Sequence, residues 1–169
     1  MKAILLGATK RERLERMLKL QYGIDCRLPS TLIQSGAGKI RIATPEAFEA
    51  AQLLRGVHSV GLYVVKVVDG TPVLSIEGTH LFCREIRQNV MELSHEQSDA
   101  WMSASPVQLK THTASKYVAA RSGPDCLGCG RTSGPKVFPY VPRWRRIVPQ
   151  SRFEVGGPQR KADGEDNYI

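Results

Sequence analysis

From Thr9 to Tyr22 the apolar residues Leu14, Met17, Leu18 and Tyr22 recur three and four positions apart. That spacing lines up one apolar stripe and predicts a helix over about 9–22. Gly23 follows as its terminator, because glycine readily takes the left-handed conformation that closes a helix. A short segment at 2–6 precedes this helix. Residues 25–43 read as short strands around the turn Ser35-Gly36-Ala37-Gly38-Lys39. Thr44-Pro45-Glu46 combines a capping hydroxyl, a first-turn proline and an acid at the positive dipole end, which predicts a second helix to about Leu54.

Two apolar runs, Val60 to Val68 and Thr71 to Ile76, flank Asp69-Gly70. An Asp-Gly pair in that setting predicts a tight hairpin. Residues 78–92 read as one more strand with loops. Ser94-His95-Glu96-Gln97 matches a capping box and predicts a short helix over about 95–103, anchored by Trp101 and Met102. Beyond Pro106 the pattern turns to short strands at Tyr117–Arg121, Cys126–Cys129 and Lys136–Phe138, with Gly/Pro turns that suit a small barrel. From about Pro149 the chain is polar and rich in glycine and proline, as a disordered tail would be. The expected fold class is α+β. It comprises a small α/β N-terminal domain over residues 1–93, a small β-barrel domain over 94–149 and a disordered tail over 150–169. No internal repeat is present.

Charge adds a direction to this picture. The 169 residues carry 24 Lys and Arg against 16 Asp and Glu, a net +8. Residues 1–103 hold 13 bases and 11 acids, so the excess lies C-terminal to them. It is densest from Lys136 to Arg152, where no acid occurs and Tyr140 and Trp144 are interleaved with the cations. Cations for phosphate and aromatic faces for unstacked bases are what looped or single-stranded RNA prefers. The basic face of the first helix, with Lys10, Arg11, Arg13, Arg16 and Lys19, reads as a solvated surface, with a binding face as the alternative. No apolar run reaches the roughly 18 residues of a spanning helix, so no transmembrane segment is expected; a basic surface suits nucleic acid or an anionic membrane, and of the two the expected partner is RNA and no membrane. The N-terminal apolar stretch stops at Lys10-Arg11, too soon for a signal-peptide core. Four cysteines in a chain of this length do not make a disulfide framework, which points to a reducing compartment and a cytoplasmic protein.

Catalytic chemistry finds little support. Cys126-Leu127-Gly128-Cys129 is half of a zinc site, and no other cysteine or histidine forms the second tight pair. A redox dithiol needs a helix start in a βαβ setting, whereas this stretch reads as strand and turn. A nucleobase deaminase needs H-x-E followed by P-C-x-x-C, but Asp125 separates Pro124 from Cys126 and no H-x-E precedes them. A phosphate loop ending at Gly38-Lys39 would need glycine at position 33, which is Ile33. Gly128-Cys129-Gly130 lacks the helix that a dinucleotide fingerprint opens. The chain is therefore expected to be no enzyme, with no catalytic residue, metal or cofactor.

Two stretches carry a resemblance. One is Gly61-Leu62-Tyr63-Val64, Leu74-Ser75-Ile76-Glu77-Gly78-Thr79-His80-Leu81 and Asn89-Val90-Met91-Glu92-Leu93. The other is Tyr117-Val118, Leu127-Gly128-Cys129-Gly130 and Val137-Phe138-Pro139-Tyr140-Val141-Pro142-Arg143-Trp144-Arg145-Arg146. Together they resemble the RNA-binding C-terminal region of Sun/RsmF-type RNA cytosine-5 methyltransferases, without the catalytic domain. The second stretch looks like a PUA domain, a small RNA-binding β-barrel. The whole arrangement is similar to the ribosome-biogenesis factor Nip-seven, in which an α/β domain precedes a PUA-like one. The resemblance covers about residues 25–147 and is most specific from Leu127 to Arg146. Cys126 departs from it, standing where a large apolar or aromatic residue is usual.

The resemblance implies a PUA-like barrel over 94–149 and a non-catalytic RNA-binding module. Its role would lie in rRNA or tRNA maturation, rRNA processing or ribosome biogenesis. On the barrel, Arg143, Arg145 and Arg146 are the expected phosphate contacts, with Arg145 and one neighbour favoured because adjacent residues of an extended segment point alternately. Neutralising all three is expected to weaken RNA binding and flatten its salt dependence. Arg121, Arg131 and Lys136 would extend the basic track. Tyr140 and Trp144 are candidates for stacking on a base, against the competing expectation that they fill the barrel core. Gly128 and Gly130 would either admit RNA close to the backbone or serve a strand bend. The alternative function is a protein-interaction adaptor that docks on an RNA methyltransferase or an assembly factor.

Overall fold

The computed structural model describes residues 3–29, 31–36, 38–109 and 113–147. The tail expected over 150–169 lies outside the described residues. The first sheet is an antiparallel meander of β1 (Ala3–Leu5), β2 (Leu32–Ser35), β3 (Lys39–Ile42), β4 (Leu62–Val68) and β5 (Thr71–Leu74), adjacent in that order. Helix α1 (Ala8–Tyr22) joins β1 to β2 and buries Leu14, Leu18 and Tyr22, the stripe that the spacing marks. It ends at Gly23, whose φ of 70° lets its N–H reach the Lys19 carbonyl. Helix α2 (Pro45–Leu53) starts where expected, with Thr44 Oγ1 accepting from the Ala47 N–H at 3.2 Å. The β4–β5 hairpin turns on Asp69 and Gly70, both at positive φ.

Helix α3 (Ile76–Leu81) corrects the expectation of a strand from residue 78 onward. Only β6 (Val90–Glu92) is strand in that stretch. Ser75 caps α3, its Oγ accepting from the Gly78 N–H at 2.9 Å, and Glu77 lies in the first turn. Gly78 reads as a helix breaker in sequence, yet α3 is pressed so close to β4 that a Cβ there would run into the Val64 carbonyl oxygen. Gly78→Ala is therefore expected to cost about 2 kcal/mol or more, because one backbone must move away from the other. Thermal unfolding checks it, with Gly7→Ala as the control, since Gly7 has no atom within 4 Å of the added Cβ. A Gly78→Ala melt that matches the wild type would show that the contact has room to give.

The second sheet runs β6-β8-β9-β10-β7, with β7 (Val107–Gln108), β8 (Tyr117–Ser122), β9 (Asp125–Ser133) and β10 (Lys136–Pro139). β6 pairs with β8 in parallel and the other pairs are antiparallel, and this mixed sheet curls into half a barrel. Helix α4 (His95–Met102) carries the full capping box of Ser94 and Gln97. Its Trp101 is fully buried, with Nε1 donating to the Leu127 carbonyl at 2.8 Å. β8 has both faces covered. Tyr117 and Ala119 join α1 and the first sheet in one core, while Val118 and Ala120 join Trp101, Met91 and Val137 in another. Two-sided burial is why residues 117–120 are apolar or aromatic at every position rather than at alternate ones.

Cys83 and Cys126 form a disulfide across 43 residues, which corrects the expectation drawn from the cysteine count. Neither residue has the other as a sequence neighbour, so spacing could not reveal the pair. The inference of a reducing compartment loses its premise. The C-x-x-C is divided: Cys126 is oxidised, whereas Cys129 is a buried thiol 3.3 Å from the Tyr22 hydroxyl. Burial pushes the Cys129 pKa up to about 11, so it stays neutral. No group of three or more His, Cys, Asp or Glu among the described residues could hold a metal ion. No helix among them is long and apolar enough to cross a membrane.

Candidate nucleic-acid interface

Strand alternation puts Lys39 and Arg41 on one face of β3 and Ile40 on the other, where it is buried. On β4 the register slips. Ile40 is opposite Val65, but Arg41 is opposite Tyr63, which leaves Val64 as an extra residue. This bulge buries Val64 and Val65 together and turns Tyr63 and Lys66 to the side that holds Lys39 and Arg41. The Tyr63 ring then lies 5.7 Å from Lys39 Nζ and 5.9 Å from Arg41 Cζ, within cation–π range. Arg41 is fixed further by donating to the Ser35 hydroxyl at 3.3 Å and the Gly61 carbonyl at 2.9 Å. Burial raises the Tyr63 pKa, partly offset by Arg41, so the phenol remains neutral.

These side chains form one wall of a cleft of about 730 Å³. Its floor includes Val73, Leu74 and Ile76, and its far wall is Tyr140, Pro142 and Trp144, from the chain that leaves β10. Val141 enters the second core, and a 3-10 turn over Arg143–Arg145 follows. That turn swings Trp144 out of the protein, 85% exposed. The expectation that Trp144 fills the barrel core is overturned, because Val141 takes a core position immediately before the turn. The turn is held in place: the Ile147 N–H donates to the Met102 carbonyl at 3.1 Å, and Arg145 forms an ion pair with Glu77 of α3. Glu77 is the one carboxylate that lines the cleft. None of the ion pairs among the described residues engages Lys39, Arg41 or Lys66.

Of the residues singled out in the sequence, Tyr140 and Trp144 line this cleft and Arg145 sits beside it on Glu77. Tyr140 is half-exposed, with its ring centroid 6.2 Å from that of Tyr117. Arg143 and Arg146 are exposed on the same turn, and Arg146 Nε donates to the Val141 carbonyl. Arg121 is tied to Glu92 of β6. Arg131 and Lys136 are exposed on the β9–β10 hairpin, opposite Phe138 and Ser133 respectively. None of these last three lines the cleft. Gly128 meets the Ile76 side chain and Gly130 meets Trp101 and Val137, so both serve internal packing and neither offers backbone to a ligand. Lys39, Arg41, Tyr63 and Lys66 were not singled out. Their signal is the alternation Lys39-Ile40-Arg41-Ile42 with no acid between Asp25 and Glu46. Tyr63 and Lys66, three apart on a strand, share a face only through the bulge.

Comparison with known proteins finds no matching family and no matching curated sequence.

Proposed function

We propose that the chain is a non-catalytic RNA-binding protein of rRNA or tRNA maturation or ribosome assembly, and that the cleft is where it holds structured RNA. The observation that carries this reading is the cleft itself. Three cations with no carboxylate partner stand along one wall, and an exposed, positioned tryptophan stands on the other. Cations retain phosphates and release counterions, and aromatic faces hold bases. The resemblance of Leu127–Arg146 to PUA domains supports the same reading, and that to Sun/RsmF-type enzymes supports association with an RNA methyltransferase. Arg143 and Arg146 extend the basic surface beyond Trp144. The proposed site of action is the cytoplasm.

Crosslinking the protein to RNA in its own cells and sequencing the bound RNA tests the reading. Enrichment of one rRNA or tRNA region is the expected result, and RNA recovered only at background level would sink it. Within the site, Glu77→Gln removes the cleft's carboxylate and releases Arg145 for phosphate, while the Ile147 bond to Met102 and a hydrogen bond from Arg145 to the neutral glutamine still hold the turn. It is expected to tighten RNA binding roughly three- to tenfold at low salt, an effect that shrinks as salt is added. Fluorescence anisotropy with labelled RNA measures this, and unchanged affinity would place Arg145 outside the RNA path.

The second reading, an adaptor that docks on an RNA methyltransferase or assembly factor, is favoured by α2. That helix buries no residue, and Leu53 and Leu54 at its end are 86% and 65% exposed. Capture of such an enzyme after nuclease treatment, lost in a Leu53→Glu, Leu54→Glu variant, would favour the adaptor.

A further inference from the structure

We infer that the cleft receives an unpaired base, stacked on Trp144, while the flanking phosphates lie on Lys39, Arg41 and Lys66. This rests on the RNA-binding reading and narrows the contact to unpaired nucleotides, such as those in the loops of a structured RNA. The cleft divides by chemistry. Its cations stand on β3 and β4 and its one carboxylate, Glu77, on α3, while Val73, Leu74 and Ile76 give it apolar lining. A phosphate has no partner on that lining, whereas the face of a base does. A volume of about 730 Å³ falls in the range of pockets that enclose small organic ligands. Inside a duplex every base face is already stacked and the deep groove of A-form RNA admits no side chain, so away from duplex ends an unpaired nucleotide is what can present a face to the cleft.

Trp144 supplies the platform. An indole left 85% exposed forfeits the burial that a tryptophan normally gains. Yet the turn that carries it is fixed on two sides, by the Ile147 bond to Met102 and by the Arg145 pair with Glu77. A positioned ring with an open face stacks without first having to be ordered. The two strands supply the phosphate contacts at a fixed spacing, since Lys39 is directly opposite Lys66.

The test uses the full chain with labelled ten-nucleotide oligouridylate and oligoadenylate, and a blunt RNA duplex of equal phosphate number. The single strands are expected to bind at least about tenfold more tightly than the duplex and to quench tryptophan emission. Trp144→Ala is expected to abolish the quench and weaken single-strand binding by roughly 5- to 100-fold, and Trp144→Phe to restore most of the affinity. Emission from Trp101, buried in the second core, reports that each variant is folded. Equal binding of duplex and single strand, with Trp144→Ala binding like the wild type, would overturn the unpaired-base inference and leave RNA binding standing. Binding of neither RNA would overturn both.

Discussion

Reducing the disulfide between Cys83 and Cys126 is expected to lower the melting temperature by roughly 10 °C, from a loss of about 4 kcal/mol. The size follows from what the bond encloses. The two cysteines are 43 residues apart, and the loop between them holds β6, α4, β7 and β8. Closing a loop of that length removes much of the unfolded chain's freedom, and the folded state already holds the Cα atoms 5.8 Å apart. Most of the second sheet is thereby stapled to the segment just after α3. Thermal melts with and without reductant measure the effect. Cys83→Ala is the informative variant, because Cys83 is only partly buried and its loss leaves little cavity. It should melt near the reduced wild type and ignore reductant. A wild type whose melt does not respond to reductant would show that the staple contributes nothing.

This bond also marks where sequence stops being informative. Features that depend on neighbours in the chain are legible. The α1 stripe, the cap at Thr44, the Asp69-Gly70 turn and the Ser94–Gln97 box all stand where local spacing puts them. Features that depend on distant backbone are not. Gly78 looks like a reason against a helix until Val64 is seen to leave room for nothing larger. Trp144 looks like core because large aromatic residues usually are, and only the burial of Val141 just before the turn shows why it is not.

The candidate site divides the same way. Its C-terminal half, Tyr140 and Trp144, is legible as aromatic residues among arginines. Its N-terminal half is hidden by the bulge at Val64, because regular alternation would send Tyr63 and Lys66 to opposite faces. The basic track through Arg121, Arg131 and Lys136 is legible as charge, but charge in sequence does not say whether a carboxylate such as Glu92 already holds it.

Exchanging Lys39, Arg41 and Lys66 together for glutamine is expected to weaken RNA binding about 100-fold at 0.1 M salt. The slope of log affinity against log salt should flatten by about 2, from three phosphate contacts on a single strand. Glutamine keeps part of the aliphatic stem along Tyr63, though Arg41 also loses its bonds to Ser35 and Gly61, so a matching melting temperature is required before the change is read as charge. The matched control exchanges Arg121, Arg131 and Lys136 for glutamine, which removes the same formal charge from side chains that do not line the cleft. Long-range attraction falls equally in both variants, and salt screens it over about 10 Å. The difference between them therefore isolates direct phosphate contact. The control is expected to lose less than about threefold at 0.1 M salt. If the control loses the 100-fold and the cleft variant does not, the RNA runs along the β9–β10 hairpin, and the exposed face of Trp144 must serve another ligand.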